Sequence, residues 1–104
     1  MMERYGLFSF GAFYYALPLL RLQKILHRYQ GYFLPLLPDT VSEVLVDVGC
    51  LVPLVCLPAQ HVGEGGPPRT AAYKVIVESE AGLVAFPADE ACGIVAKQKG
   101  EVVA

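Results

Sequence analysis

The sequence predicts an all-β domain, and three observations carry that reading. Apolar runs rich in Val, Leu, Tyr and Phe are short and broken at intervals by Gly, Pro or polar clusters. Tyr73 to Glu78 alternates cleanly, with Tyr73, Val75 and Val77 on one face and Lys74, Ile76 and Glu78 on the other. No heptad and no internal repeat interrupts this pattern. Roughly five to eight short strands between turn signals describe a small barrel or sandwich rather than a parallel α/β sheet.

At 104 residues the chain makes a single domain, 1–104, large enough to bury about two-thirds of its unfolded surface without disulfides or metals. Hydrophobic residues make up 55% and charged residues 17%, a surplus of apolar surface that suits either a generous core or an interface. A net charge of −2 argues against nucleic acid, whose binders gather Lys and Arg on one face. Arg4, Arg21, Lys24 and Arg28 come early and nine of the ten acidic residues follow Pro38, but no basic run is dense enough to form a patch. Gly6 to Leu20 is uncharged yet falls short of the ~20 residues that span a bilayer and contains Gly11 and Pro18, so no membrane insertion is expected. A start of Met-Met-Glu-Arg lacks the basic region of a secretory leader, which points to the cytoplasm. Cys50 and Cys56, on one extended strand, would lie about 20 Å apart and cannot pair locally. Small buried thiols in a reducing compartment are therefore expected for these and for Cys92.

Taken in order, Tyr5 to Phe10 and Phe13 to Leu17 form a first hairpin across Gly11-Ala12, a pair suited to a type II′ turn. Leu19 to Arg28 fits two helical turns or an irregular strand equally well. Tyr29 to Gly31 turns, Tyr32 to Leu37 is extended under Pro35 and Pro38, and Asp39 or Thr40 can cap one helical turn. The chain is organised around Val44 to Leu57, two Val- and Leu-rich runs flanking Gly49 as a tight hairpin. Alternation puts Val44, Val46 and Val48 on its dry face and Glu43, Leu45 and Asp47 on a wetter one, and Pro53 places the second strand at an edge or bulge, or turned from its neighbour. Ala59 to Thr70 reads as a mobile surface loop. Tyr73 to Glu78 and Leu83 to Phe86 make a third hairpin, Pro87 to Glu90 a break, Gly93 to Ala96 a brief strand and Lys97 to Gly100 a polar turn.

Catalytic groups are sparse. His27 and His61 stand in no motif, and Asp89 and Glu90 are neighbours whose side chains diverge on regular structure, so no shared-proton pair is expected. Gly63-Glu-Gly65-Gly66 lacks the Lys-Ser/Thr of a phosphate-binding loop, and no metal spacing or cofactor fingerprint occurs. The chain is expected to be no enzyme and to carry no cofactor.

Order and spacing of several motifs resemble the CheW-like domain, the bacterial chemotaxis module that couples chemoreceptors to a histidine kinase. Gly6-Leu-Phe-Ser-Phe-Gly and Tyr15-Ala-Leu-Pro-Leu resemble the family's opening strands, Leu20-Arg-Leu-Gln-Lys-Ile-Leu its third element, and Leu34-Pro-Leu-Leu-Pro-Asp the following proline segment. Val44, Gly49, Val52, Pro53 and Leu57 match its central hairpin, and Gly82-Leu-Val-Ala-Phe-Pro-Ala-Asp89 its later one. The resemblance implies two small SH3-like antiparallel barrels and a non-catalytic adaptor. Its implied partners are a CheA-type histidine kinase, a methyl-accepting chemoreceptor, or both. A divergent ligand-sensing or regulatory module on the same fold is the alternative. The implied partner-binding residues are Leu45, Asp47, Val48, Gly49 and Pro53 of the hairpin. Val48 stands where the family usually has Arg, and Glu43 where it has Gly. Family members continue through further strands that close one barrel, so an incomplete second barrel and a homodimer covering its free edge are also expected.

Overall fold

The computed structural model describes residues 2–29, 31–33, 35, 38–55 and 71–98. The expected loop at Ala59 to Thr70, Cys56 and the last residues from 99 onward lie outside these described residues.

Aromatic and branched residues in the first stretch favour extended backbone, and they pair as β1 (Met2–Phe10) with β2 (Phe13–Pro18). Gly11 supplies the turn with φ 61, and its N–H donates to Asp89 Oδ2 at 2.8 Å. Leu19–Arg21 forms a single 3₁₀ turn after Pro18, and the ambiguous segment then resolves as strand β3 (Leu22–His27). A register shift between Leu22 and Lys24 explains why its periodicity was mixed. In a regular strand Leu22 and Leu26 share a face, but the shift turns them to opposite sides, each into a different core.

Strands β4 (Val41–Asp47) and β5 (Cys50–Val55) form the organising hairpin, and β6 (Tyr73–Ser79) and β7 (Gly82–Ala88) the alternating one. The approach to β4 is a β-turn closed by Val41 N–H on Pro38 O at 2.9 Å, in place of the expected helical turn. Strand β8 (Glu90–Gln98) is longer than foreseen and runs antiparallel to β1, so Lys97 and Gln98 belong to a strand and not to a polar turn. Pro87 and Ala88 likewise complete β7, leaving only a bend at Asp89, whose N–H donates to Ser9 O at 2.6 Å.

Two sheets result: a three-stranded one ordered β2-β1-β8 and a five-stranded one ordered β3-β6-β7-β5-β4. Their interiors are separate. One core gathers Phe8, Leu17, Val75, Val77 and Ala88, and the other Leu45, Val52, Leu54, Ile76 and Ala85. Successive residues of β6 point into different cores, so this strand is dry on both faces and acts as a common wall. Tyr15 fastens the first core: its ring stacks on Phe8 at 5.7 Å and its hydroxyl donates to Pro87 O at 2.6 Å. Burial pushes the Tyr15 phenol pKa up, and the Asp89 carboxylate adds to the effect.

Two readings of the central hairpin are decided by the structure, and the expected burial of the thiols is corrected. Its dry face carries Leu45, 0% exposed, and of the expected row Val44 is buried, whereas Val46 and Val48 are 38% and 85% exposed. The reason is the partner across the strand: Leu45 pairs with Val52, also fully buried, and both enter the second core. Of the alternatives for Pro53, the edge is excluded because β5 lies between β4 and β7, and a position turned from its neighbour is the one adopted. Pro53 fits there because its partner Val44 spends both backbone groups on Tyr32, at 2.8 and 2.9 Å. The Val44/Pro53 pair is thus non-hydrogen-bonded, and the missing donor faces β7, which β5 meets only at Leu54 and Ala85. Finally, Cys50 and Cys92 are exposed free thiols rather than buried ones, because one adjoins a hairpin tip and the other an irregularity opposite Leu7/Phe8.

Candidate docking hairpin

The tip of the β4–β5 hairpin is a two-residue turn, Val48-Gly49, closed by the Asp47/Cys50 pair. Both turn residues have positive φ, 48 for Val48 and 76 for Gly49, the requirement of a type I′ turn whose twist matches the flanking strands. Gly49 suits that geometry. Valine does not, since a branched Cβ crowds the carbonyl in the left-handed region. The tip therefore holds an apolar side chain in water and in a strained conformation at once.

Below the tip, the outer face of the hairpin carries the cross-strand pairs Val46/Leu51 and Val44/Pro53. Leu51 is 69% exposed and Val46 is its exposed neighbour, so Val46, Val48 and Leu51 form a contiguous apolar surface with Pro53 half-buried at its base. On the opposite face, acidic residues point toward the lysines of β3 and β6. Asp47 pairs with Lys24 at 2.8 Å and Glu43 with Lys74 at 2.9 Å. The Tyr29 hydroxyl donates to Val46 O, and the Lys74 ammonium to Tyr29 O. These contacts tie the edge strand β4 to β3 and β6 by side chains, which holds the hairpin fixed against the barrel.

Of the residues expected to bind partners, the structure brings Val48 and Gly49 together at the exposed tip and puts Pro53 at the base of the same face. Leu45 is fully buried and supports the hairpin from inside rather than offering a contact. Asp47 is half-buried and engaged with Lys24 on the inner side. Val46 and Leu51 were missed. The signal that could have found them was the pairing register: Gly49 at the second turn position sets Val46 opposite Leu51, and the buried Leu45 then forces both outward. Elsewhere, His27 stacks on Tyr73 at 4.8 Å. Among the described residues no group of three or more His, Cys, Asp or Glu converges, and no helix is long and apolar enough to cross a membrane.

The family model of the CheW-like domain matches residues 4–102. The structure is similar to that of the scaffolding protein TtCheW from Thermoanaerobacter tengcongensis, with a TM-score of 0.74 and 16% sequence identity. That match covers 95% of this chain and 64% of the other, so the chain spans less than two-thirds of its structural neighbour. No curated protein sequence matches it. At this identity the structural likeness establishes a shared fold, while the family model takes in nearly the whole sequence; the chain belongs to the CheW-like domain family.

Proposed function

We propose that this domain is a non-catalytic adaptor of bacterial chemotaxis signalling, which docks a CheA-type histidine kinase, a methyl-accepting chemoreceptor, or both. The observation that carries the reading is the hairpin tip. Val48 is 85% exposed at a φ that disfavours it, and strain at an exposed apolar residue is what a contact surface retains and a purely structural turn discards. Family membership and the scaffolding role named for the structural neighbour support the same reading. Val46, Val48 and Leu51 form the apolar centre of the docking face, with Gly49 and Pro53 setting its shape. A cytoplasmic location goes with these partners.

Co-elution of the purified chain with its cognate kinase and receptor fragments tests the proposal. The wild-type chain is expected to migrate with at least one of them, and Val48→Asp or Leu51→Asp to abolish this without lowering the melting temperature. Failure to co-elute, or full tolerance of both charges, rejects it. A homodimer belongs to the same proposal. Among the described residues β8 pairs only with β1 and Ile94 is 65% exposed beside that free edge, a surface that a second copy can cover. Sedimentation equilibrium showing only an 11.3 kDa species at all concentrations rejects that part.

A further inference from the structure

A polar cleft of about 530 Å3 opens between the β3–β4 connection, the start of β6 and strand β4, lined by residues that include Arg28, Tyr29, Gly31, Glu43, Ala72 and Lys74. Its volume is ample for a small carboxylic acid or an acidic side chain together with water. Two of its charges satisfy each other. Lys74 is buried at 4% exposure, with its ammonium on Glu43 Oε1 at 2.9 Å and on Tyr29 O. Gly31 permits this pairing, because a Cβ there would come within 2.8 Å of the Glu43 carboxyl carbon.

Arg28 is different. It lies exposed at the cleft and forms no ion pair among the described residues. Its backbone is held at φ 53, with its N–H donating to Ala72 O at 2.8 Å. That conformation is unfavourable for a non-glycine residue, and such strain is retained where a side chain must be aimed. Among the described residues, two cations against one anion leave the lining with a single net positive charge. One carboxylate neutralises it, and the planar guanidinium matches a carboxylate through two parallel hydrogen bonds. A phosphate dianion would instead bring a surplus negative charge beside Glu43.

We infer that the cleft is a carboxylate-recognition site, with Arg28 as the recognising group and the Glu43–Lys74 pair as its fixed, neutral wall. The carboxylate comes either from a free small acid or from an acidic side chain of a partner. The inference stands apart from the adaptor reading, since the hairpin tip does not enter it.

Amide shifts of the full chain, followed by NMR, test it with two probes: succinate, and the peptide acetyl-Ala-Glu-Ala-amide, each against sodium chloride at matched ionic strength. Saturable shifts are expected at Arg28, Gly31, Ala72 and Lys74. Loss of a charged hydrogen-bond pair in Arg28→Gln should weaken binding about tenfold or more, with partial recovery in Arg28→Lys and with the amide dispersion of β1 and β8 confirming that each variant is folded. Binding of succinate alone assigns the site to a free acid, and binding of the peptide alone to a partner side chain; response to both supports the shared chemistry. No saturable shift from either probe up to about 20 mM, where affinity carries no biological weight, overturns the inference. Shifts reproduced by sodium chloride, or retained in Arg28→Gln, overturn it equally.

Discussion

Replacing Val48 by Asn should make the domain more stable while weakening its docking. Val48 sits at φ 48 in the first position of the hairpin turn, where an L-residue with a Cβ loses roughly 1–2 kcal/mol relative to right-handed backbone. Asn tolerates that region and is the preferred residue of the Asn-Gly turn, which the following Gly49 already completes. Little is lost in exchange, because 85% of Val48 is in water and full burial of a valine is itself worth only about 1.5–3 kcal/mol. The net expectation is a gain of about 1 kcal/mol, which for a domain of this size raises the melting temperature by roughly 4–8 °C.

Thermal denaturation followed by circular dichroism measures the effect, with Val48→Gly and Val48→Ala as companions. Gly should also stabilise, by less than Asn because it frees the unfolded chain. Ala keeps a Cβ and should change little. If all three substitutions lower the melting temperature, or if Ala gains as much as Asn, the residue is not strained as the backbone indicates and the argument for a retained contact residue falls with it.

Gly31→Ala should push the Glu43 carboxyl away from Lys74 and cost about 1–3 kcal/mol, less than a fully buried pair would lose because Glu43 retains access to water; urea denaturation measures it. Leu45→Ala removes a side chain with 0% exposure and should cost about 2–5 kcal/mol, read by the same denaturation. Gly49→Val should destabilise by about 1–3 kcal/mol through its φ of 76 alone, since no atom lies within 4 Å of the added Cβ; an unchanged melting temperature refutes that. For Tyr15, whose folded pKa lies above its ordinary 10.0, the neutral form is the one the fold favours. Stability is therefore level below about pH 10 and falls as pH rises beyond it, when the unfolded chain gives up the proton first. Tyr15→Phe should cost about 0.5–1.5 kcal/mol at neutral pH for the lost bond to Pro87 O and should flatten the alkaline decline.

How far the sequence could be read depended on whether a position was decided locally. Gly11, Gly49 and Gly82 announced their turns because positive φ is a local demand, and all three adopt it. The alternation of Tyr73 to Glu78 was equally plain and fits β6. The choice of inner face on β4 was not local. Val44, Val46 and Val48 made the more apolar row, yet the acidic residues of the other row are matched by Lys24 and Lys74 from β3 and β6, and nothing near Glu43 or Asp47 in the chain hints at those partners. The same holds for β5, where Pro53 left an edge, a bulge and a position turned from its neighbour open, and only the single parallel bridge to β7 decides among them. The strained tip was half legible: Gly49 was expected to turn, but a valine in the left-handed region contradicts propensity and is visible only in the backbone.

The placement of β6 ties these features together. Because Val75 and Val77 enter one core while Ile76 enters the other, neither sheet can separate without exposing a full face of a strand the other still needs. Lys74 is drawn into this wall by its position between such neighbours, and a buried ammonium must be answered by an anion. Glu43 of β4 provides it, and the same lysine holds the Tyr29 carbonyl while the Tyr29 hydroxyl holds Val46. One shared strand thus anchors both the edge of the hairpin and the wall of the cleft beside Arg28. Among the described residues, each of the two non-glycine residues in left-handed backbone, Arg28 and Val48, follows directly on a strand, β3 and β4. Strain at those two points persists because the wall between the cores fixes the strands that lead into them, and a strain held that firmly can hold a recognition surface in one shape.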